Sequence, residues 1–358
     1  MAYQQRKELI SNLERIRDSR VLCYILSDRE SFPPIPGFST QLSGEPHILF
    51  IDQLRAIGKT RQLDVFLYTR GGTTDSVWPF VNLLREYGER LTVIVPFRAH
   101  SAGTLICLGA DEVVMTDAAE LSPIDPTTGN QFNPADPSNP QSRFGISVED
   151  VAAYFELGEK RAGITQEAYK LDILKELTQK VHPLALGNVQ RVYMQIRRLA
   201  RKLLALHLNE EVNEQKIEQI IKALTEEFYS HVHSISRREV IALMGDWVRS
   251  PSEEEALIIW DLFNSYSDTI NLRQKFQLPE YMSDEQTRDL TVVGGLIEST
   301  EISHIHTTDI KVIQRPNLPP NVQIQVSPGS AIPLVPGFSR SYEFSIQQMG
   351  WKINEKGD

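Results

Sequence analysis

Cysteine is scarce in this sequence of 358 residues, which contains only Cys23 and Cys107. Both lie in apolar surroundings, so the sequence predicts no disulfide framework and is compatible with a reducing compartment. Long apolar runs are also missing: no segment approaches about 18 consecutive apolar residues, and the N-terminus lacks the apolar stretch of a secretory signal. We therefore expect a soluble, cytoplasmic protein without a membrane span.

Positive charge is in deficit, since 37 Lys and Arg residues face 47 Asp and Glu residues, for a net charge of −10. This balance argues against an electrostatic grip on nucleic acid. Grouped metal ligands are missing as well, because the pair His231 and His233 has no carboxylates clustered with it. We predict no metal, no other cofactor and no nucleic-acid partner.

The first third of the chain has the apolar pattern of an α/β core. Helical spacing at residues 5–18, 46–58 and 76–87 alternates with the strand-like runs RVLCYILS, LDVFLYT and LTVIVPF. A short buried helix at 104–108 and the strand EVVMT follow. The order β, α, β is typical of a parallel sheet with right-handed crossovers.

The remaining chain predicts a loop, a run of helices and a β-rich end. Residues 125–144 are rich in Pro, Asn, Asp and Ser, which indicates a long surface loop. We predict helices at 147–160, 165–180, 186–207, 213–226, 236–245 and 252–264, with Ser236 and Glu239 as a capping box. We expect a catalytic domain at residues 1–265 and a small β-rich appendage of unknown role at residues 266–358.

Three short motifs within about 60 residues carry the chemistry: TRGGTTD at 69–75, RAHSAGT at 98–104 and ELSPIDP at 120–126. A Gly-Gly turn after a strand can point backbone N–H groups into a cleft, because glycine accepts conformations that other residues resist. A serine at the start of a buried helix is held rigidly, and the following N–H faces developing negative charge. Gly71, Gly72, Ser101 and Ala102 match these roles.

The run FLYTRGG, followed about 30 residues later by HSAGTLICLGADEVVMTDAAELSPIDP, resembles the Clp protease and signal-peptide-peptidase superfamily. Within it, the sequence resembles the serine dehydrogenase proteinase family of soluble proteins, over roughly residues 5–265 and most sharply over 64–126. The resemblance implies a ClpP/crotonase-like spiral of βαβ units with added helices. It also implies a serine peptidase with Ser101 as nucleophile and Gly71, Gly72 and Ala102 as the oxyanion-hole amides.

The general base departs from the Clp pattern. The position of the Clp histidine falls on Asp125, and a carboxyl with an ordinary pKa of about 3.9 is a poor replacement near neutral pH. The signal-peptide-peptidase branch uses a lysine shortly before the long helix that follows the active-site loop. By that resemblance the base is Lys180, which makes a Ser–Lys dyad.

Other bases stay open. Lysines at three nearby positions are reserves: Lys160, Lys170 and Lys175. His182 and His233 are histidine alternatives that could enter the cleft, whereas His100 adjoins Ser101 and is expected to support the turn.

The function we predict is hydrolysis of peptide or protein substrates by a homo-oligomer. A first rival is a catalytically inactive ClpP-like scaffold or oligomeric binding protein, which the missing histidine favours. A second is crotonase-type acyl-thioester chemistry, since both groups use paired backbone amides. The chain has no Walker-type phosphate loop, so any ATP-dependent partner would be a separate protein.

Overall fold

The computed structural model describes residues 3–124, 127–137, 139–228, 230, 233–317 and 339–354. Its helices are α1 (Tyr3–Arg17), α2 (His47–Ile57), α3 (Val77–Tyr87), α4 (Ala102–Leu108), α5 (Val148–Glu156), α6 (Glu167–Lys180), α7 (Pro183–Leu204), α8 (Glu210–Lys222), α9 (Arg237–Met244), α10 (Glu253–Thr269) and α11 (Leu278–Met282). Every helix predicted from apolar spacing is present within a few residues of its expected bounds.

The strands are β1 (Arg20–Leu26), β2 (Thr60–Tyr68), β3 (Gly88–Val95), β4 (Arg98–Ala99), β5 (Glu112–Met115), β6 (Glu120–Leu121), β7 (Thr127–Thr128), β8 (Ala135–Asp136), β9 (Asn139–Arg143), β10 (Ile146–Ser147), β11 (Ile235–Ser236), β12 (Val248–Arg249), β13 (Thr287–Glu298), β14 (Ser303–Pro316) and β15 (Arg340–Ile353). The chain is therefore a mixed α/β protein, as predicted. It divides into unit one, residues 1–70, 83–96 and 251–358, and unit two, residues 71–82 and 97–250.

Unit one contains the parallel strands of the predicted core. β1 pairs with β2 and β2 with β3, all parallel. Six of the seven residues of β1 and the last six of β2 are buried. Strands that are covered on both faces have nearly continuous apolar sequences, which is the pattern seen in these two strands. The order of elements and the parallel register confirm the α/β class.

The β-rich end of the chain also belongs to unit one. β13 pairs antiparallel with β1, from Cys23↔Glu298 to Leu26↔Gly295, and β14 and β15 continue the antiparallel order. Inside this unit the Arg6 guanidinium donates to both carboxylate oxygens of Glu298 at 2.7 and 2.8 Å, with both side chains fully buried. The predicted boundary after residue 265 falls within unit one, and the division into a catalytic domain and an appendage stays a prediction.

Unit two is built around α4, whose residues are all buried. α4 packs against α7, and α7 against α8. β4 pairs parallel with β6, and β5 with β12. The capping box at the start of α9 is present as predicted, with Ser236 and Glu239 in reciprocal hydrogen bonds. Unit two thus holds the helix that follows Ser101.

The segment at 125–144 differs from the prediction of an irregular loop. Its described residues include β7, which pairs with β10, and β8, which pairs with β9. The buried Asn133 donates its side-chain amide to the carbonyls of Thr128 and Phe144, at 2.8 and 2.9 Å. Short ladders and one side-chain amide therefore satisfy backbone groups that composition alone suggested would face water.

Candidate active site

Ser101 lies between β4 and α4 in a strained conformation. Its φ is 49° and its ψ is −108°, a region that residues with a side chain rarely adopt. The turn is held by Gly103 N–H, which donates to the His100 carbonyl at 2.8 Å, and by Leu105 N–H, which donates to the Ser101 carbonyl at 3.1 Å. Strain that the surrounding structure maintains is typical of functional sites.

The glycine turn makes a close approach to this serine. Gly71 has φ 97°, and a Cβ atom built on it would lie 2.8 Å from Ser101 Cβ and 2.8 Å from the His100 carbonyl oxygen. The same atom would lie 3.4 Å from the Ala102 backbone nitrogen. Only glycine fits here, since any side chain would collide with the backbone of the serine turn. Gly72 follows with φ 153°.

Ser122 supports the serine turn, although the sequence did not single it out. Its hydroxyl accepts the Ser101 N–H at 2.7 Å and donates to the Pro123 carbonyl at 3.0 Å. Thr104 lies beside it: its hydroxyl is 2.9 Å from the carbonyl oxygens of Ala99 and Ser122 and accepts the Ser122 N–H at 3.1 Å. Ser122 belongs to the ELSPIDP motif, so its presence there was the available signal.

The carboxylate of Glu120 lies next to the serine turn, beside His100. Glu120 accepts from Arg98 Nε at 2.8 Å, and its Oε1 is 3.1 Å from His100 Nε2. Burial opposes ionisation of Glu120, but hydrogen bonds from Arg98 and Ser234 outweigh it, so the pKa of this carboxyl lies below its ordinary value. His100 thus contacts a carboxylate, in keeping with its expected role in supporting the turn.

Three of the four lysine candidates occupy exposed positions, and Lys170 is half-buried. Lys180 is the last residue of α6 and is exposed. The three reserves are ion-paired: Lys160 with Glu156 at 2.9 Å, Lys170 with Glu159 at 3.0 Å, and Lys175 with Asp172 at 2.9 Å. Lys180 forms no ion pair within the described ranges.

The histidine alternatives are engaged elsewhere. His182 Nδ1 accepts the Leu184 N–H at 3.1 Å, and its ring stacks on Phe132 with a centroid distance of 4.8 Å. The His233 ring stacks on Phe228 at 4.9 Å, and its Nε2 is 3.8 Å from a Glu239 oxygen. Asp125 and His231 lie outside the described residues.

The structure therefore brings together part of the predicted constellation. Gly71 approaches Ser101 and Ala102 so closely that a Cβ atom built on it would lie 2.8 Å from Ser101 Cβ and 3.4 Å from the Ala102 nitrogen. In the part of the chain that the structure describes, the Ser101 hydroxyl hydrogen-bonds to no lysine or histidine. Three or more His, Cys, Asp or Glu side chains grouped to hold a metal do not occur among the described residues. No helix in these ranges is both long and apolar enough to cross a bilayer.

Comparison with known protein families finds a match over part of the chain. The fold is ClpP-like, and the predicted resemblance is confirmed for residues 1–138, which match the model of the family described as ClpP-like SDH-type serine proteinase. This stretch includes the glycine turn, Ser101, Ala102 and Ser122. The match thus covers the residues that form the candidate site.

Two curated relatives come from Methanocaldococcus jannaschii, and both are described as uncharacterized proteins. One is 29% identical over 179 residues, covering 49% of this chain and 61% of the relative. The other is 24% identical over 228 residues, covering 64% of this chain and 66% of the relative. The chain thus spans less than two thirds of the length of each relative.

Solved structures with similarity include two mutants of the 1510-N membrane-bound stomatin-specific protease. The first is 13% identical, with a TM-score of 0.37, covering 61% of this chain and 79% of that chain. The second, in complex with a substrate peptide, is 12% identical with a TM-score of 0.33, covering 62% of this chain and 94% of that chain.

Proposed function

We propose that this protein is a serine peptidase that transfers the acyl group of a peptide to water through Ser101. The observation that carries the proposal is the close approach of Gly71 to the strained turn of Ser101 and Ala102. This close approach requires a glycine, and it places two stretches of backbone beside one serine side chain. The family match over residues 1–138 supports the same chemistry.

The proposed reaction begins when Ser101 Oγ attacks the carbonyl carbon of the scissile peptide and loses its proton to a base. Negative charge develops on the carbonyl oxygen, and we assign its stabilisation to backbone amides of Gly71, Gly72 and Ala102. The amine leaves with a proton as the acyl-enzyme forms. Water then hydrolyses the ester and restores the serine hydroxyl.

We propose Lys180 as the base. It is preferred over Lys160, Lys170 and Lys175 because each of those three is engaged by a carboxylate. The role requires the neutral amine beside Ser101, and desolvation is what favours that form of a lysine. Because Lys180 is exposed at the end of α6, the proposal further requires that the occupied site shield it from water.

Labelling with a fluorophosphonate probe tests the nucleophile. We expect wild-type protein to label and Ser101→Ala to remain unlabelled. Ser147→Ala is the matched control: Ser147 also precedes a helix, α5, and its side chain makes no capping hydrogen bond. Equal labelling of Ser101→Ala and wild-type protein would remove Ser101 from the mechanism.

Peptide turnover tests the base. Lys180→Ala should lower the rate by about 10²–10⁴-fold, the usual contribution of general acid–base catalysis. Lys175→Ala on the same helix is the control, since its ammonium is ion-paired with Asp172, and should leave the rate unchanged. Normal turnover by Lys180→Ala, with loss of turnover in His182→Ala or His233→Ala, contradicts the Ser–Lys dyad.

The second function we consider is an inactive ClpP-like scaffold that binds partners. It is favoured by one observation: within the described residues the Ser101 hydroxyl makes no hydrogen bond to a basic side chain. A wild-type protein that is folded, oligomeric and unreactive toward the probe at every pH tested supports the scaffold over the peptidase.

The setting of the activity is also a proposal. Peptides or proteins are the substrates, and the active form is a homo-oligomer that works in the cytoplasm. Two buried free thiols, Cys23 and Cys107, agree with a reducing compartment. Any ATP-dependent partner is a separate protein.

A further inference from the structure

Strand β15 is an open edge of the sheet in unit one. One side pairs with β14 over its whole length, from His304↔Ile353 to Pro316↔Arg340. Within the described ranges, no strand pairs with the other side of β15. A strand of 14 residues with an unpaired row of backbone N–H and C=O groups is a template for pairing with another chain.

A bulge at the centre of β15 sets the orientation of its side chains. Ile310 lies opposite Ile346, whereas Asp309 lies opposite Gln348, so Gln347 is an extra residue on β15. The alternation of faces restarts after the bulge. One face therefore carries all six large apolar side chains of the strand: Tyr342, Phe344, Ile346, Met349, Trp351 and Ile353.

This arrangement makes β15 complementary to itself. When two copies pair antiparallel about a two-fold axis between Gln347 and Gln348, each residue before the bulge meets one after it on the same face. The apolar side chains then meet in three kinds of pair: Tyr342 with Ile353, Phe344 with Trp351, and Ile346 with Met349. A shift of the register by one residue would place each apolar side chain opposite a polar residue or Gly350.

Charge complementarity selects the same register. On the opposite face Glu343 meets Lys352, and cross-strand pairs of opposite charge stabilise a sheet whereas like charges destabilise it. In its own chain Glu343 accepts from Arg315 at 2.9 Å and is still 56% exposed, which leaves carboxylate surface for the lysine. Neighbouring registers that preserve the faces do not bring these two charges together.

Two apolar side chains near the axis and at the end of the strand need cover. Met349 is 45% exposed and Ile353 is 61% exposed. In the self-paired register Met349 would contact Ile346, and Ile353 would contact Tyr342, of the second copy. Pairing with a second copy would therefore cover the two exposed apolar side chains of this face.

We propose that two copies of this chain form a two-fold symmetric dimer through antiparallel pairing of β15. Such an interface is isologous, since the same surface is used by both copies. The proposal specifies the contact of the homo-oligomer proposed above, and it is independent of the chemistry at Ser101.

Sedimentation of charge variants tests the register. Glu343→Lys and Lys352→Glu each place like charges opposite one another at two symmetric positions, so each should weaken association by about tenfold. The double variant restores opposite charges and should associate as the wild type does. Lys59→Glu, which changes an exposed lysine remote in sequence from β15, controls for net charge and should have no effect.

Disulfide formation between two single-cysteine variants tests the same contact independently. Glu343→Cys and Lys352→Cys, purified separately and then mixed, should form a cross-linked dimer that neither forms alone. The native thiols do not interfere, since both are buried. A mixture of Glu343→Cys with Lys59→Cys is the control and should stay uncrosslinked.

The outcomes separate this proposal from the others. If wild-type protein associates while all charge variants associate equally and no cross-link forms, the oligomer stands and the β15 interface is overturned. A wild-type monomer whose β15 amides resist hydrogen exchange would show that another part of its own chain covers the edge. That result overturns both the homo-oligomer and the β15 interface. Probe labelling of Ser101 reports on the peptidase whichever result is obtained.

Discussion

Replacing Gly71 by alanine should disable the site through a local collision. The new Cβ would lie 2.8 Å from the His100 carbonyl oxygen and 2.8 Å from Ser101 Cβ. Neither atom can move without distorting the serine turn, because His100 and Ser101 are held by backbone hydrogen bonds to Gly103 and Leu105. The substitution thus changes the site without removing any polar group.

The expected loss of stability in Gly71→Ala has two parts. A residue with a side chain costs about 1–2 kcal/mol at positive φ, where Gly71 has 97°. Overpacking at a site that cannot relax costs about 1–3 kcal/mol, for a total loss of about 2–5 kcal/mol in the free energy of unfolding. Displacement of one oxyanion donor should also lower the rate of fluorophosphonate labelling by about 10²–10³-fold.

Two glycines separate these parts. Gly163 has φ 69° but open space around its Cα, so Gly163→Ala should show only the conformational cost. Gly129 has open space and no positive φ, so Gly129→Ala should leave the protein unchanged. Urea unfolding gives the stability of each variant, and circular dichroism establishes that it is folded in the labelling assay. A Gly71→Ala variant that labels at the wild-type rate and is no less stable than Gly163→Ala would contradict this prediction.

Two further predictions concern the support of the serine turn. Ser122→Ala removes the acceptor of the Ser101 N–H, so it should lower the free energy of unfolding by about 1–3 kcal/mol and slow labelling. Ser265→Ala is the control, since it removes a buried hydroxyl that has no partner in the described ranges, and it should change the stability little. An unchanged labelling rate in Ser122→Ala would contradict the positioning role. Because the pKa of Glu120 is depressed in the folded state, its stabilisation is present above the ordinary value of about 4.5 and is lost as the pH falls through the folded pKa. Glu120→Gln should therefore be less stable than wild-type protein at pH 7 and should lose less stability on acidification. Urea unfolding from pH 7 to pH 3 measures both effects, and parallel curves of stability against pH for the two proteins would contradict a stabilising role of the Glu120 carboxylate.

The pattern of apolar residues predicted those core elements well that depend only on residues near one another in the chain. The strand LDVFLYT and the buried helix after Ser101 lie where their apolar residues predicted them. Both predictions depend only on the pattern of apolar residues within a short stretch of sequence. The capping box of Ser236 and Glu239 is likewise a contact across three residues. Such features need no knowledge of distant chain.

Features that depend on distant partners were harder to predict. The predicted loop at 125–144 forms short ladders because residues well separated in the chain pair with one another, as Thr127 does with Ser147. Ser122 acquired a role only when its hydroxyl reached the Ser101 N–H. The register of β13 on β1 is also a long-range choice, which no local periodicity encodes.

The amino-acid sequence was sufficient to predict the α/β class, the placement of most helices and strands, and the set of small residues around Ser101. These follow from side-chain size, apolar spacing and the conformational freedom of glycine, all of which act within a few residues. Three-dimensional packing was needed to show that Gly71 closely approaches the serine turn, that Ser122 supports this turn and that Lys180 is exposed. Those facts depend on how segments far apart in the chain pack together, and the free energy of that packing is shared among many residues.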